Sequence, residues 1–410
     1  MWVRMRLDIG WHDLFSGFAY CILPRKRLTV VQRVRQSWNC NAEFLVTLSV
    51  RSAFDLTLRA LQLPRGCEVL LTALTVPDMV RIVELHGLVP VPVDIDEDGE
   101  ISVASLNRAI TSKSRMIVVA HLFGGRIALG DVMSIASQHN LFVVEDFAQS
   151  FRRVGDCGHP DSDLAMFSFG PIKTASALGG AVVRVKSREL ALTMAELLET
   201  DPIQTPIAFA RRLIRFTFLK LFSGVRSALL VRCCVERLGY DFDSLANSVT
   251  RGFAVANLLA QLRQQPSTPL LRLLQRRWQT YDFARIERRI TMGQRFDARI
   301  GRSHAASHSY WIYTLTVDDP SVLRDRLRSA GFDATCLARM TVVPAVDELR
   351  IPTNARCNRE RIVVLPWYPE MPDDAVDLMV GLIEPSEPSR VQEIERQNKE
   401  MHASCGSRVS

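Results

Sequence analysis

Short apolar runs alternate with amphipathic segments from about residue 45 to residue 200. Each run has the length of a buried strand, and each amphipathic segment has the apolar spacing of a helix. The predicted strands are 68–74, 89–96, 115–123, 141–146, 164–169 and 180–185, and the predicted helices are 52–63, 77–87, 102–111 and 130–140. This order predicts a mainly parallel sheet with helices on both faces. The prolines of 89–96 favour an edge position for that strand.

The pattern changes on either side of this region. Residues 188–300 are mostly helical, and residues 308–384 return to strands and helices in the order of a small α+β domain. We predict an N-terminal arm at 1–40, a large α/β domain at 41–250, a helical connection with a smaller C-terminal α+β domain at 251–385, and a disordered tail at 386–410.

Composition narrows the class of protein. The 410 residues are 47% hydrophobic and 23% charged, as in an ordinary globular protein. The net charge of +7 suits an anionic, phosphorylated substrate. No Lys/Arg block interleaves with aromatic residues, so we expect no nucleic-acid partner. The stretch 206–234 is basic and amphipathic, which allows a membrane-surface helix, although packing against the protein or a partner subunit is the favoured interpretation.

Further features concern location and metals. The nine cysteines are scattered without a CxxC pair, and the eight histidines lack metal-ligand spacing, so we expect a reducing compartment and no metal site. No charge-free stretch of about 18 residues is present. The N-terminus lacks the pattern of a secretory signal. Together these features predict a cytoplasmic protein.

Two polar residues stand out in the α/β region. Asp146 ends the apolar run 141–146, and Lys173 lies in a Gly-Pro turn just after the strand at 164–169. A carboxylate at the end of a parallel strand lies where open α/β sheets bind ligands. A lysine beside it suggests a Schiff base with pyridoxal phosphate (PLP), because the amine can move protons while the carboxylate keeps the pyridine nitrogen protonated.

Several motifs around these residues resemble the DegT/StrS-type sugar aminotransferases, which have PLP-dependent fold type I. The resemblance extends from about residue 40 to residue 385. The motifs that carry it are VPVPVDID (89–96), VAHLFG (119–124), EDFAQS (145–150), DLAMFSFGPIK (163–173) and VVLPWYP (363–369). The order and spacing of these motifs together indicate the family more specifically than any single motif does.

The resemblance implies a role for each matching residue. Lys173 would hold PLP and act as general acid and base, and Asp146 would pair with the pyridinium nitrogen. Gln149 would reach the ring hydroxyl, and Ser168 would bind the phosphate. We expect His121 to be a structural strand-end residue rather than a catalytic one.

This chain also departs from the family pattern. A phosphate-cradling "SGT" turn is replaced by Ser49-Val50-Arg51-Ser52, where Arg51 and Ser52 are the candidate phosphate ligands. An aromatic residue that stacks on the ring is replaced by Val76. Asn247 is the candidate for a residue that reaches the partner subunit's cofactor, which would require a homodimer.

The resemblance implies a PLP-dependent aminotransferase. It would move an amino group from an amino acid such as glutamate to a keto-sugar, nucleotide-linked in our interpretation, for cell-surface polysaccharide or secondary-metabolite biosynthesis. Two alternatives remain open at this stage. One is other PLP-dependent lyase or dehydratase chemistry, although the dehydratase branch carries His in place of the lysine. The other is a catalytically degenerate PLP-binding regulator or scaffold.

Overall fold

The computed structural model describes most of the chain. The described residues are 1–4, 6–38, 42–96, 99–222, 257–304, 307–337 and 340–383, together with Arg237. Asn247, the second part of the basic stretch at 223–234 and the predicted tail at 386–410 lie outside them.

The secondary structure follows the predicted alternation closely. The strands are β1 (Glu43–Thr47), β2 (Glu68–Thr72), β3 (Leu74–Thr75), β4 (Val89–Val93), β5 (Ser114–Ala120), β6 (Phe142–Asp146), β7 (Leu164–Ser168), β8 (Ala181–Val185), β9 (Tyr313–Thr316), β10 (Thr335–Cys336), β11 (Thr341–Val342) and β12 (Ile362–Leu365). The helices are α1 (Trp11–Ile22), α2 (Arg27–Trp38), α3 (Val50–Leu61), α4 (Pro77–Leu85), α5 (Val103–Ala109), α6 (Gly130–Gln138), α7 (Arg188–Thr200), α8 (Pro206–Phe222), α9 (Leu258–Leu262), α10 (Thr268–Thr280), α11 (Ala284–Arg299), α12 (Pro320–Ser329), α13 (Thr353–Arg361) and α14 (Asp373–Ile383). The edge strand β1 was not predicted.

A seven-stranded sheet forms the centre of the fold. Its order is β1-β8-β7-β6-β5-β2-β4, and the strands from β7 to β4 run parallel. β4 lies at one edge, as its prolines predicted. β8 is antiparallel to both of its neighbours, so the sheet is mixed at the other edge. The loop 169–180 alone joins β7 to β8, whereas a parallel pair would need a longer crossover.

Helices cover both faces of this sheet. Successive strand residues point to opposite sides, so Val69 and Met116 pack with α3, α4 and α7, while Leu70 and Ile117 pack with α5 and α6. All four side chains are fully buried. Burial on both faces explains why these strands are apolar throughout rather than alternating.

The remaining elements enclose one end of the sheet. α1, α2, α8 and α10 pack together, and an antiparallel sheet of order β10-β12-β9 is covered by α12 and α14. β11 pairs with β3 and so joins this C-terminal region to the central sheet. Within the described residues, no helix is long and apolar enough to span a bilayer. Cys157 takes part in a disulfide bond, which the scattered cysteines did not predict.

Candidate active site

The carboxyl ends of β5, β6 and β7 form one edge of the central sheet. Asp146 ends β6 opposite Ala120 of β5, and Ser168 ends β7. A cavity of about 720 Å³ opens here and is lined by Asp146, Gln149, Ser168 and Lys173. These four predicted site residues therefore share one cavity, at the edge where α/β sheets bind ligands.

Lys173 lies in a tight turn after β7. Its backbone N–H donates to the Gly170 carbonyl at 3.1 Å, and its amine lies 4.0 Å from the centre of the Trp311 ring. The Trp311 indole N–H donates to the Ile172 carbonyl at 3.2 Å, which fixes the ring beneath the amine. The aromatic face attracts the ammonium group and holds it in the cavity.

The loop that follows Lys173 is strained. Ala175 and Leu178 have left-handed φ values of 53° and 63°, and both are fully buried. Such residues persist only where surrounding contacts hold them, and they are typical of functional sites. The Asp8 carboxylate supplies one such contact, because it accepts the Ala175 N–H at 3.0 Å.

Asp146 occupies a position that disfavours an unpaired negative charge. Burial raises the pKa of Asp146 above the usual range for aspartate, while the Ala148 N–H and the charge of Lys173 act in the opposite direction. Within the described residues, the carboxylate accepts one hydrogen bond, from the Ala148 N–H to Oδ1 at 2.8 Å. The Oδ2 atom is therefore suited to accept a hydrogen bond from a protonated ring nitrogen.

Gln149 is held by the loop after β5. Its Oε1 accepts the Phe123 N–H at 3.0 Å, and its amide nitrogen lies 3.8 Å from the Met340 sulfur, a weak acceptor. The loop turns at Gly124, whose φ is +114°. A Cβ there would lie 2.6 Å from the backbone nitrogen of Trp311, so only glycine fits where this loop passes the segment before β9.

The altered turn at the start of α3 also borders the cavity. The Ser49 hydroxyl caps α3 by accepting the Ser52 N–H at 3.1 Å and lies 3.0 Å from the Ser52 hydroxyl. Ser52 is buried and does not line the cavity, whereas Arg51 and Val76 do. The Arg51 Nε lies 2.7 Å from the Asp78 carboxylate, so part of its charge is already balanced.

His121 makes structural contacts only among the described residues. Its Nε2 bonds Glu145 at 3.1 Å, its Nδ1 accepts the Ile127 N–H at 3.0 Å, and its ring stacks on Phe147 at 4.1 Å. Both ring nitrogens therefore have partners among the described residues, which agrees with the structural role predicted for His121.

Several cavity residues were not predicted from the sequence. Arg289 is buried, donates to the Ser309 carbonyl at 2.9 Å and lies 3.4 Å from the Thr174 hydroxyl, next to Lys173. The basic side chains that line the cavity are Arg4, Arg6, Arg51, Lys173, Arg212, Arg215, Arg285 and Arg289, and the acidic ones are Asp8, Asp78, Asp146 and Glu370. Their excess of positive charge favours an anionic ligand. For Arg212 and Arg215 the one sequence signal was the basic, amphipathic character of the stretch 206–234.

The N-terminal arm reaches this site through Asp8. Besides the Ala175 N–H, its carboxylate accepts the Tyr281 hydroxyl at 2.7 Å and lies 3.3 Å from Arg285. Arg277 donates to the Asp8 carbonyl at 2.9 Å. The first residues of the chain thus help to hold the loop after Lys173.

Comparison with known proteins agrees with this geometry. Residues 39–201 match the model of the DegT/DnrJ/EryC1/StrS aminotransferase family. The chain is 32% identical over 145 residues to the GDP-perosamine synthase of Escherichia coli O157:H7, covering 34% of this chain and 39% of that protein. It spans about two fifths of the length of the curated relatives it matches.

Solved structures extend the likeness to nearly the whole chain. The aminotransferase TlmJ from Streptoalloteichus hindustanus superimposes with a TM-score of 0.67 at 15% identity, over 93% of this chain and 98% of that one. NtdA from Bacillus subtilis, solved with bound cofactor PMP, gives 0.63 at 15% identity, over 92% and 82%. The predicted fold is therefore confirmed as that of the type I aminotransferases.

The resemblance drawn from the motifs is likewise confirmed over residues 39–201, which match the model of the DegT/DnrJ/EryC1/StrS aminotransferase family. This segment contains Asp146, Gln149, Ser168 and Lys173, together with Arg51, Ser52 and Val76. The Arg212 and Trp311 side chains come from outside it.

Proposed function

We propose that the protein is a PLP-dependent aminotransferase that moves an amino group from an amino acid, glutamate in our proposal, to a keto-sugar. The observation that supports this most directly is the shared cavity of Lys173, Asp146, Gln149 and Ser168. Each side chain is chemically suited to one part of PLP. The Lys173 amine suits the aldehyde, the Asp146 carboxylate the ring nitrogen, the Gln149 amide the ring hydroxyl and the Ser168 hydroxyl the phosphate.

The buried environment of Asp146 supports the fit of this cofactor. Burial raises the pKa of Asp146, and a protonated ring nitrogen beside Oδ2 would place a positive charge in direct contact with the carboxylate. When bound, the cofactor supplies an electron-accepting ring and a carbonyl carbon that can take up an amino group.

Each residue then has a defined task. Lys173 would hold the cofactor through its amine and would move a proton at Nζ to and from the substrate carbon. Asp146 keeps the ring nitrogen protonated, Gln149 orients the ring through its hydroxyl, and Ser168 binds the phosphate. Val76 supplies an apolar contact to the ring, and Asn247 is proposed to act across a homodimer.

The substrate class follows from charge and from the relatives. The cavity's basic side chains suit a phosphorylated acceptor, and the name of GDP-perosamine synthase describes a nucleotide-linked sugar product. We therefore propose a nucleotide-linked keto-sugar, used for polysaccharide or secondary-metabolite biosynthesis in the cytoplasm. Lys173 favours transamination over the dehydratase branch, which carries His at this position.

The visible absorption spectrum of the purified protein with PLP, before and after glutamate, tests the proposal. We expect a band that requires Lys173 and that glutamate converts to the pyridoxamine phosphate form. Borohydride trapping followed by peptide mass spectrometry should locate the cofactor on Lys173. Lys173→Ala should abolish both signals, and Lys186→Ala, at an exposed lysine, should leave them unchanged.

Two results would contradict the proposal in different ways. A band that ignores glutamate and every other amino-acid donor would replace transamination with another PLP reaction. The absence of a band in the wild-type protein would favour the regulator or scaffold.

A further inference from the structure

Arg212 reaches the cavity from outside the segment that matches the family. It lies on α8, which begins after that segment ends at residue 201. Its Nη1 donates to the Leu178 carbonyl at 3.2 Å, and a Cβ on Gly179 would lie 2.9 Å from the same nitrogen. The guanidinium therefore rests directly on the loop that follows Lys173.

This loop closes a corner formed by β1, β7 and β8. Ser168 pairs with the first residue of β8. The Gly179 N–H donates to the Phe169 carbonyl at 3.0 Å, and the Gly180 N–H donates to the Leu48 carbonyl at 2.8 Å, just before the cap of α3. Ser168, the N-terminus of α3 and Arg212 thus border the same end of the cavity, where the resemblance leads us to expect the cofactor phosphate.

The charge around Arg212 is suited to an anion. Among the described residues no carboxylate pairs with it. Burial, followed by the nearby charge of Arg215, lowers the pKa of Arg212 below the usual range. Arg51, by contrast, already pairs with Asp78. An anion at this corner would balance two neighbouring arginines, since Arg215 also lines the cavity.

We propose that Arg212 binds the phosphate of the cofactor, together with Ser168 and the N-terminal N–H groups of α3. This inference rests on the proposed function. The planar guanidinium offers paired donors that match phosphate oxygens, and the helix terminus favours the same charge. Arg212 would thereby compensate for the Gly-Thr turn that the chain lacks at residues 50 and 51.

A comparison of two cofactor forms isolates the phosphate contribution. Dissociation constants for pyridoxal phosphate and for pyridoxal, which has no phosphate, are measured by visible absorbance for the wild type, Arg212→Gln and Arg212→Lys. Arg211→Gln is the matched control, because Arg211 is exposed on the same helix and does not line the cavity. Arg212→Gln should weaken pyridoxal phosphate by about tenfold or more and leave pyridoxal little changed. Arg212→Lys should lie between the two.

Gly179→Ala provides a second variant that keeps the arginine. The added Cβ would displace only the mobile end of the Arg212 side chain, so the protein should fold and show the same selective loss of pyridoxal phosphate affinity.

An unchanged ratio of the two dissociation constants in Arg212→Gln would overturn the inference and leave the proposed function standing. If that ratio is unchanged but Arg212→Gln raises the KM of a phosphorylated substrate, Arg212 binds the phosphate of the substrate and not that of the cofactor, and the inference is overturned as well. If the wild-type protein attaches neither compound to Lys173, both proposals fall.

Discussion

The Lys173 amine lies 4.0 Å from the centre of the Trp311 ring, although the two residues lie in loops beside different sheets and are far apart in the sequence. Lys173 follows β7 of the central sheet, and Trp311 immediately precedes the small sheet that contains β9. The C-terminal region thus supplies the surface against which the Lys173 amine is held.

Trp311→Ala should therefore weaken covalent attachment of PLP. The loss of a cation–π contact of ~0.5–2 kcal/mol corresponds to a decrease of roughly twofold to thirtyfold in affinity. Absorbance titration measures this effect. Trp11→Ala is the control, because Trp11 also lies near a lysine, Lys220, but outside the cavity. Equal effects of the two substitutions would contradict a specific role for Trp311.

Asp146→Asn should separate stability from activity. A raised pKa means that the folded state binds the proton more tightly than the unfolded state. The stability that Asp146 contributes is full below the usual aspartate pKa of about 3.9 and is lost as pH rises through the raised value. At neutral pH, the cofactor-free Asn variant should therefore melt at a higher temperature than the wild type.

That advantage should disappear as pH falls to about 4, since the wild-type carboxyl is then protonated. Transamination should decrease by about a hundredfold or more, because the ring nitrogen loses its charged partner. Thermal melts across this pH range and single-turnover assays measure the two effects. Asp161→Asn, at an exposed carboxylate, should change neither. A pH-independent gain in stability would show that Asp146 is not the titrating group.

Gly124→Ala should be strongly destabilising. The φ of +114° and a Cβ only 2.6 Å from the Trp311 nitrogen combine backbone strain with a clash against main-chain atoms. We expect a loss of about 2 kcal/mol or more in the free energy of unfolding, measured by urea titration. Gly130→Ala is the control. Gly130 is the first residue of α6, a Cβ there would meet no other atom, and the substitution should be neutral or slightly stabilising. A neutral Gly124→Ala would mean that the two loops can separate without cost.

Asp8→Asn should loosen the loop that follows Lys173. The Ala175 N–H and the Tyr281 hydroxyl both donate to Oδ2, while Oδ1 lies 3.3 Å from Arg285; with the amide oxygen at the Oδ2 position, the amide nitrogen would face Arg285 and could not pair with it. The free energy of unfolding should fall by ~1–3 kcal/mol, and PLP should dissociate faster during dialysis. Asp325→Asn, which breaks an exposed pair with Arg324, serves as the control. Faster dissociation from the control as well would assign the effect to net charge.

The sequence was sufficient for the parts of the site that depend on local order. Asp146 and Ser168 each end a buried strand, and parallel neighbours bring their carboxyl ends to one edge. Lys173 lies within five residues of Ser168, so its place in the same cavity followed. The strand and helix positions were likewise readable, because burial on both faces leaves the strands uniformly apolar.

The parts of the site that depend on contacts between residues far apart in the sequence could not be predicted from the sequence. Asp8 meets Tyr281 across 273 positions, and neither residue lies in a distinctive pattern. Arg212 is one arginine among several on an amphipathic helix, and its contacts with the loop at Leu178 and Gly179, which distinguish it, appear only in the structure. The antiparallel direction of β8 was also missed, because a short apolar run does not reveal its direction.

The contact between Asp8 and the loop after Lys173 also bears on how the protein is made. Asp8 leaves the ribosome first, whereas its partners Tyr281 and Arg285 are synthesised long after the central sheet. At a synthesis rate of about 5–20 residues per second, many seconds pass between the synthesis of Asp8 and that of these partners. A nascent chain that ends before Tyr281 would contain Lys173 without the contacts that Tyr281 and Arg285 make with Asp8. Cofactor capture is therefore expected to follow synthesis of the helical connection rather than of the sheet.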